Sequence, residues 1–166
     1  WAIENFGIEP DIVTAAKGLG SGMPIGAVIA KEHWMRWKPG SHGSTFGGNP
    51  VAAAAAIATL EVIRDENLMQ NAVDRGAQAV KGLRAGLAGN KHVTDIRGIG
   101  LMIGVDFTDG DIAGEVEVEA FERGLLVLTC GDRGVRMSPP LVVNEAEMDT
   151  AIRIFSEAAA AVAARH

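Results

Sequence analysis

One cysteine, Cys130, stands among 166 residues, which excludes an intrachain disulfide and any zinc site built from several cysteines. The four histidines, His33, His42, His92 and His166, show no metal-ligand spacing. Basic runs are missing too. Fifteen Lys and Arg stand against 21 Asp and Glu, for a net charge of −6, so the chain offers no electrostatic footprint for a nucleic-acid backbone. No apolar run reaches the roughly 18 residues that a membrane helix needs. The opening Trp1-Ala2-Ile3-Glu4 reads neither as a signal peptide nor as a transit peptide. The expectation is a soluble, cytoplasmic protein that binds neither nucleic acid nor membrane.

What is present is an ordinary globular balance, 48% apolar and 22% charged residues, with glycine frequent enough to promise many turns. Two short strands are expected near the start, over Asp11–Ala16 and Ile25–Ala30, separated by the flexible Gly18–Gly22 loop. A short helix over Glu32–Trp37 stops at Pro39-Gly40. Asn49-Pro50 then reads as a helix start, cap followed by first helical residue, and Val51–Arg64 is Ala-rich and strongly helical. A second long helix runs from Leu68 to Leu87.

Beyond Lys91 the pattern changes. Val93–Phe107 alternates at Leu101, Ile103, Val105 and Phe107, a strand signal, and Asp109-Gly110 marks a turn. Glu115–Arg123 is expected to be helical, ended by Gly124. Leu125–Thr129 and Val135–Ser138 read as strands around a Gly131–Gly134 turn. The last helix opens at Asn144 with Glu147 three residues on, a variant of the capping box. Its apolar stripe is Met148, Ile152, Phe155, Ala159 and Val162. The fold class is therefore α/β, with residues 1–65 in one α/β layer, 66–90 a linking helix, and 91–166 a small α+β domain.

Three places could carry chemistry. Lys17 stands between an apolar strand and a glycine-rich loop. A desolvated lysine amine is a Schiff-base nucleophile, although a strand-end lysine reaching solvent fits the same pattern. It is no phosphate-loop lysine, since Ala16 precedes it and Gly18 follows it. Gly98-Ile99-Gly100 is no dinucleotide fingerprint either, because Ile103 holds the third glycine position. The Gly40–Asn49 stretch sets the hydroxyls of Ser41, Ser44 and Thr45 before a helix start, a setting for phosphate or simply a solvated loop. Arg136 lies in the short apolar strand Val135-Arg136-Met137. Its partner there is either a ligand carboxylate or a structural acid, or else it snorkels outward to solvent.

Taken in order, these segments resemble class III (omega) aminotransferases, pyridoxal-phosphate enzymes of fold type I. The resemblance runs through Pro10-Asp11-Ile12-Val13-Thr14-Ala15-Ala16-Lys17-Gly18-Leu19-Gly20, then His42-Gly43-Ser44-Thr45-Phe46-Gly47-Gly48-Asn49-Pro50. It continues through Arg97-Gly98-Ile99-Gly100-Leu101-Met102, Gly124–Gly131 and Val135-Arg136. It implies that the chain is the C-terminal portion of such an enzyme, the end of the large α/β domain plus the small α+β domain. It further implies that Lys17 is the catalytic lysine, holding pyridoxal 5'-phosphate as an internal aldimine. Thr45, with Ser44 beside it, would bind the cofactor phosphate of a neighbouring subunit in a homodimer, and Arg136 would meet the substrate carboxylate. The reaction implied moves an amino group from an amino donor to a 2-oxo acid, and no metal is implied. The family's front half, with the acid that pairs with the pyridine nitrogen, is not matched, so the piece by itself is expected to be nearly inactive. A non-catalytic binding or dimerisation module, and an aminomutase on the same scaffold, remain alternatives. Leu128-Thr129-Cys130-Gly131 looks most like the 4-aminobutyrate branch. His42-Gly43-Ser44-Thr45 also occurs in acetylornithine-type members, and the subgroup stays open.

Overall fold

The computed structural model describes all 166 residues, and the chain divides after Asp65 into two units, Trp1–Asp65 and Glu66–His166. In the first unit, strand β1 (Ile12–Ala15) pairs antiparallel with β2 (Ala27–Ala30). A 3-10 turn over Lys17–Gly20 follows β1 after the single residue Ala16. Glu32–Trp34 forms only a second such turn, where the sequence suggested a short helix to Trp37; Pro39-Gly40 lies too close for a longer one. Helix α1 (Pro50–Asp65) begins as the sequence predicts. The Asn49 side chain accepts from the Ala52 amide at 3.0 Å, which satisfies one of the amides a helix start leaves open. Ala52 and Ala56, one turn apart, are its buried residues.

The second unit holds most of the core. Helix α2 (Leu68–Gly86) buries Leu68, Gly76, Ala79 and Leu83, and it packs on strand β3 (Val93–Ile99) and on the last helix, α4 (Glu145–Ala163). Residues 66–90, read from the sequence as a linking helix, are thus counted within this unit. The single strand expected over Val93–Phe107 is instead a hairpin, β3 followed by β4 (Met102–Phe107). The reversal occurs at Gly100, whose φ of 52° suits glycine and few other residues. Helix α3 (Gly110–Glu122) starts five residues earlier than the sequence suggested, because Asp109 is not a turn residue but its cap, accepting from the Ile112 amide at 2.9 Å. Strands β5 (Leu128–Cys130) and β6 (Gly134–Met137) complete an antiparallel sheet in the order β3-β4-β6-β5. Helix α4 carries the full capping box: the Glu147 amide donates to the Asn144 side chain, and the Asn144 amide to the Glu147 carboxylate, both at 2.9 Å.

The sheet has one dry face and one open face, as strand periodicity requires. Ile103, Val105 and Phe107 of β4 and Val135 and Met137 of β6 are buried on the side where α2 and α3 lie. Helix α4 packs against both helices, and its Phe155 ring comes within 6.5 Å of Phe107. Each such fully buried large side chain contributes about 1.5–3 kcal/mol. The alternate residues, Met102, Gly104, Asp106 and Arg136, face the other way, where no helix packs.

Candidate functional site

Lys17 sits two residues beyond the end of β1. Ala16 is still extended (φ −159°), and Lys17 then turns into the left-handed region at φ 52°. A non-glycine residue rarely adopts that conformation, and where one does, surrounding structure must hold it there. Ser21, at the other end of the same turn, is also left-handed at φ 44°. Two of the chain's three positive-φ residues other than glycine therefore lie within five positions of each other.

The restraints are visible. The Leu19 amide donates to the Ala16 carbonyl at 3.1 Å, the Ser21 amide to Gly18 at 3.2 Å, and the Met23 amide to Gly20 at 2.9 Å. Gly20 is buried, and a Cβ there would lie 2.9 Å from Ile25 Cγ2. Thr59 on α1 donates its hydroxyl to the Ala55 carbonyl at 2.8 Å. Its only proton is thereby used, so in the 2.9 Å contact between Ser21 and Thr59 Ser21 is the donor. That bond moors the lysine turn to α1. The Lys17 side chain itself is exposed and enters no ion pair, whereas Lys31 is held by Glu9 at 2.6 Å.

Ser44 and Thr45 lie in the turns that lead into α1. The Gly47 amide donates to the Ser44 carbonyl at 3.3 Å, and the Asn49 amide to the Phe46 carbonyl at 3.3 Å. Gly47 has to be small, since a Cβ there would stand 2.9 Å from Ser44 Cβ. Both residues are exposed, and neither hydroxyl has a hydrogen-bond partner within the chain. No hydrogen bond joins them to Lys17.

Arg136 belongs to the second unit. It is the one exposed residue of β6, on the open side of the sheet, with Val135 and Met137 buried on either side of it. Its register neighbours are Gly104 on β4 and Leu128 on β5. It forms no ion pair within the chain, so the structural acid that the sequence left open as its partner is not there.

Sequence reasoning named no role for the residue across Gly104 from Arg136. That residue is Arg97, the register partner of Gly104 on β3. Its guanidinium lies over Gly104, with Cζ 3.7 Å from where a Cβ would be. It holds Asp95 at 2.8 Å, and it holds Asp106 through both carboxylate oxygens, at 2.8 and 3.0 Å. The hydrogen bonds to Asp106 first, and to Asp95 second, raise the Arg97 guanidinium above its already high range. The available signal was Asp95 and Arg97 two apart on a strand; the cross-strand register that adds Asp106 is not written in the spacing.

Compared with known proteins, residues 1–159 match the family model for aminotransferase class-III. The acetylornithine aminotransferase of Nostoc sp. is 45% identical over 99% of this chain and 39% of its own length. That of Methanothermobacter thermautotrophicus is 48% identical over 93% of this chain and 40% of its own. The chain thus spans about 40% of the length of the curated relatives it matches. Among solved structures, the ornithine aminotransferase of Toxoplasma gondii, described with partial occupancy of PLP at its active site, is 37% identical. It superposes with a TM-score of 0.90 over 99% of this chain and 40% of that one, which agrees with the fold type I expectation. Both curated relatives are named for acetylornithine rather than 4-aminobutyrate, and this corrects the weight that Leu128-Thr129-Cys130-Gly131 carried towards the 4-aminobutyrate branch.

Proposed function

The chain belongs to the class-III aminotransferase family, and on that premise we propose that it carries the lysine, a phosphate-binding turn and the carboxylate-binding arginine of an aminotransferase. The amino donor is an ω-amino acid of the acetylornithine type and the acceptor a 2-oxo acid. The observation that carries the reading is Lys17, an unpaired amine held in the left-handed region by a turn moored to α1.

The family uses pyridoxal phosphate, and the donor set fits it: a primary amine for an aldehyde, and two unpartnered hydroxyls before a helix start for a phosphate. When bound, the cofactor supplies an electrophilic aldehyde carbon and a ring that withdraws electrons from the adjoining substrate carbon. Lys17 Nζ would hold the cofactor by its aldehyde and, as a free amine, would carry the proton that leaves the substrate carbon. Ser44 Oγ and Thr45 Oγ1 donate to phosphate oxygens, in a homodimer to those of the neighbouring subunit. Arg136 Nη atoms take the substrate carboxylate in a forked pair.

The test is cofactor trapping. The full natural chain is incubated with pyridoxal phosphate, reduced with borohydride and mapped by peptide mass spectrometry. One stoichiometric adduct on Lys17 is expected. Labelling scattered over Lys31, Lys38, Lys81 and Lys91, or none, would overturn the assignment.

A further inference from the structure

The open face of the sheet carries two arginines in one row, on either side of Gly104. One is clamped by two carboxylates and the other is free. Between them lies a carboxylate that could serve either. Asp106 pairs in register with Gly134 on β6, the strand of Arg136, and Arg136 is two residues further along on the same face. Diagonal neighbours of this kind are about 7–8 Å apart at Cα, within reach of a long side chain. Asp106 also leans towards β6: its Oδ1 lies 2.9 Å from where a Gly134 Cβ would be. Its carboxylate is only 21% exposed, so water is a poor alternative partner for it. Arg97 is the one cation that holds Asp106.

We infer that Arg97 is a positioning residue for Arg136: by holding both oxygens of Asp106, it prevents an Asp106–Arg136 ion pair and leaves Arg136 free for a substrate carboxylate. The inference rests on the proposed role of Arg136. Gly134 is part of the device, because a Cβ there would stand 2.9 Å from Asp106 Oδ1, whereas at Gly104 a Cβ would meet Arg97 only in ordinary contact. Asp95 contributes a second hold on Arg97 and lies on the far side, away from β6.

The experiment compares wild type, Arg136→Gln, Arg97→Gln and Arg97→Gln/Asp106→Asn in the full natural chain loaded with pyridoxal phosphate. The probe is glutarate, a dicarboxylate that accepts no amino group, and its dissociation constant is read by calorimetry. Wild type binds and Arg136→Gln loses saturable binding. Arg97→Gln weakens binding about three- to sixfold, the size expected when an exposed ion pair competes for the same guanidinium. The double variant returns to the wild-type value. Among wild type, Arg97→Gln and the double variant, KM for the 2-oxo acid follows the same order while kcat stays level, a split that general damage to the sheet would not give. Where Arg97→Gln does not fold, Arg97→Lys replaces it. Lysine cannot fork and so releases one Asp106 oxygen, and weakening with rescue by Asp106→Asn is again expected. Undiminished binding in Arg136→Gln would overturn the role of Arg136 and the inference with it. Loss in Arg136→Gln beside wild-type binding at the Arg97 variant, or beside a double variant no better than the single, would overturn the inference alone.

Discussion

Gly76 and Gly114 are both helical glycines of the second unit, and replacement by alanine should act in opposite directions at the two. Helix propensity alone predicts the same gain at each, about 1 kcal/mol. Gly114, in α3, has nothing within 4 Å of the position a Cβ would take, so the gain should be realised nearly in full, as about 0.5–1 kcal/mol of added stability. At Gly76, in α2, a Cβ would be driven into the backbone carbonyl of Gly100. That carbonyl cannot turn aside, since Gly100 forms the β3–β4 reversal at φ 52°. The helix must withdraw instead, and Ala79 and Leu83, both fully buried on the same stripe, withdraw with it. Overpacking of this kind costs about 1–3 kcal/mol, which exceeds the propensity gain, and Gly76→Ala is destabilising on balance. Urea unfolding followed by far-UV circular dichroism reads both changes as displaced midpoints at unchanged slope. A Gly76→Ala protein more stable than wild type would refute the argument, because it would mean that the hairpin yields to the helix.

Two further predictions concern the same unit. Asn144→Ala removes the side-chain acceptor of the Glu147 amide, while the residue's own backbone amide can still donate to the Glu147 carboxylate, and should cost about 1 kcal/mol, read by the same titration; no change would mean that solvent replaces the cap. The Glu119 carboxyl is held below its ordinary value of 4.5 by hydrogen bonds from Arg165 and then Arg123, and the Asp109 carboxyl below 3.8, chiefly by the Ile112 amide. Both folded values are depressed, so each contribution is fully present above the ordinary carboxylate range and is lost as pH falls through the depressed folded value. Unfolding midpoints measured at successively lower pH should decline on that acid side, and Glu119→Gln should make the decline shallower; an equal slope in the variant would remove Glu119 from the account.

Helix starts were legible because their chemistry is local: Asn49-Pro50 and Asn144 with Glu147 act within four residues, and the structure uses both. Asp109 shows the limit of that legibility. Asp-Gly is a turn signal and an acidic cap is a helix signal, and only packing of Ile112, Ala113 and Val116 against the sheet decides for the helix. The β3–β4 hairpin was hidden for a similar reason, since a glycine in a strand pattern signals a bulge, a close approach or a reversal alike. Lys17, Ser44, Thr45 and Arg136 were singled out as candidates from residue type and motif order. The Asp95–Arg97–Asp106 clamp was not, because it depends on which residue of β4 faces which residue of β3, and register is a property of the sheet rather than of either strand.

The backbone at Lys17 has a consequence for anyone who engineers this protein for robustness. A left-handed lysine gives up about 1–2 kcal/mol that glycine would not. A survey for stabilising substitutions that scores backbone fit would therefore rank Lys17→Gly well, and the variant could prove sturdier than its parent while lacking the amine. Lys17→Ala keeps the strain and removes the amine, and the two variants together separate what the turn contributes to folding from what the amine contributes to chemistry. On the role proposed for Lys17, robustness and reactivity are set against each other at a single φ angle.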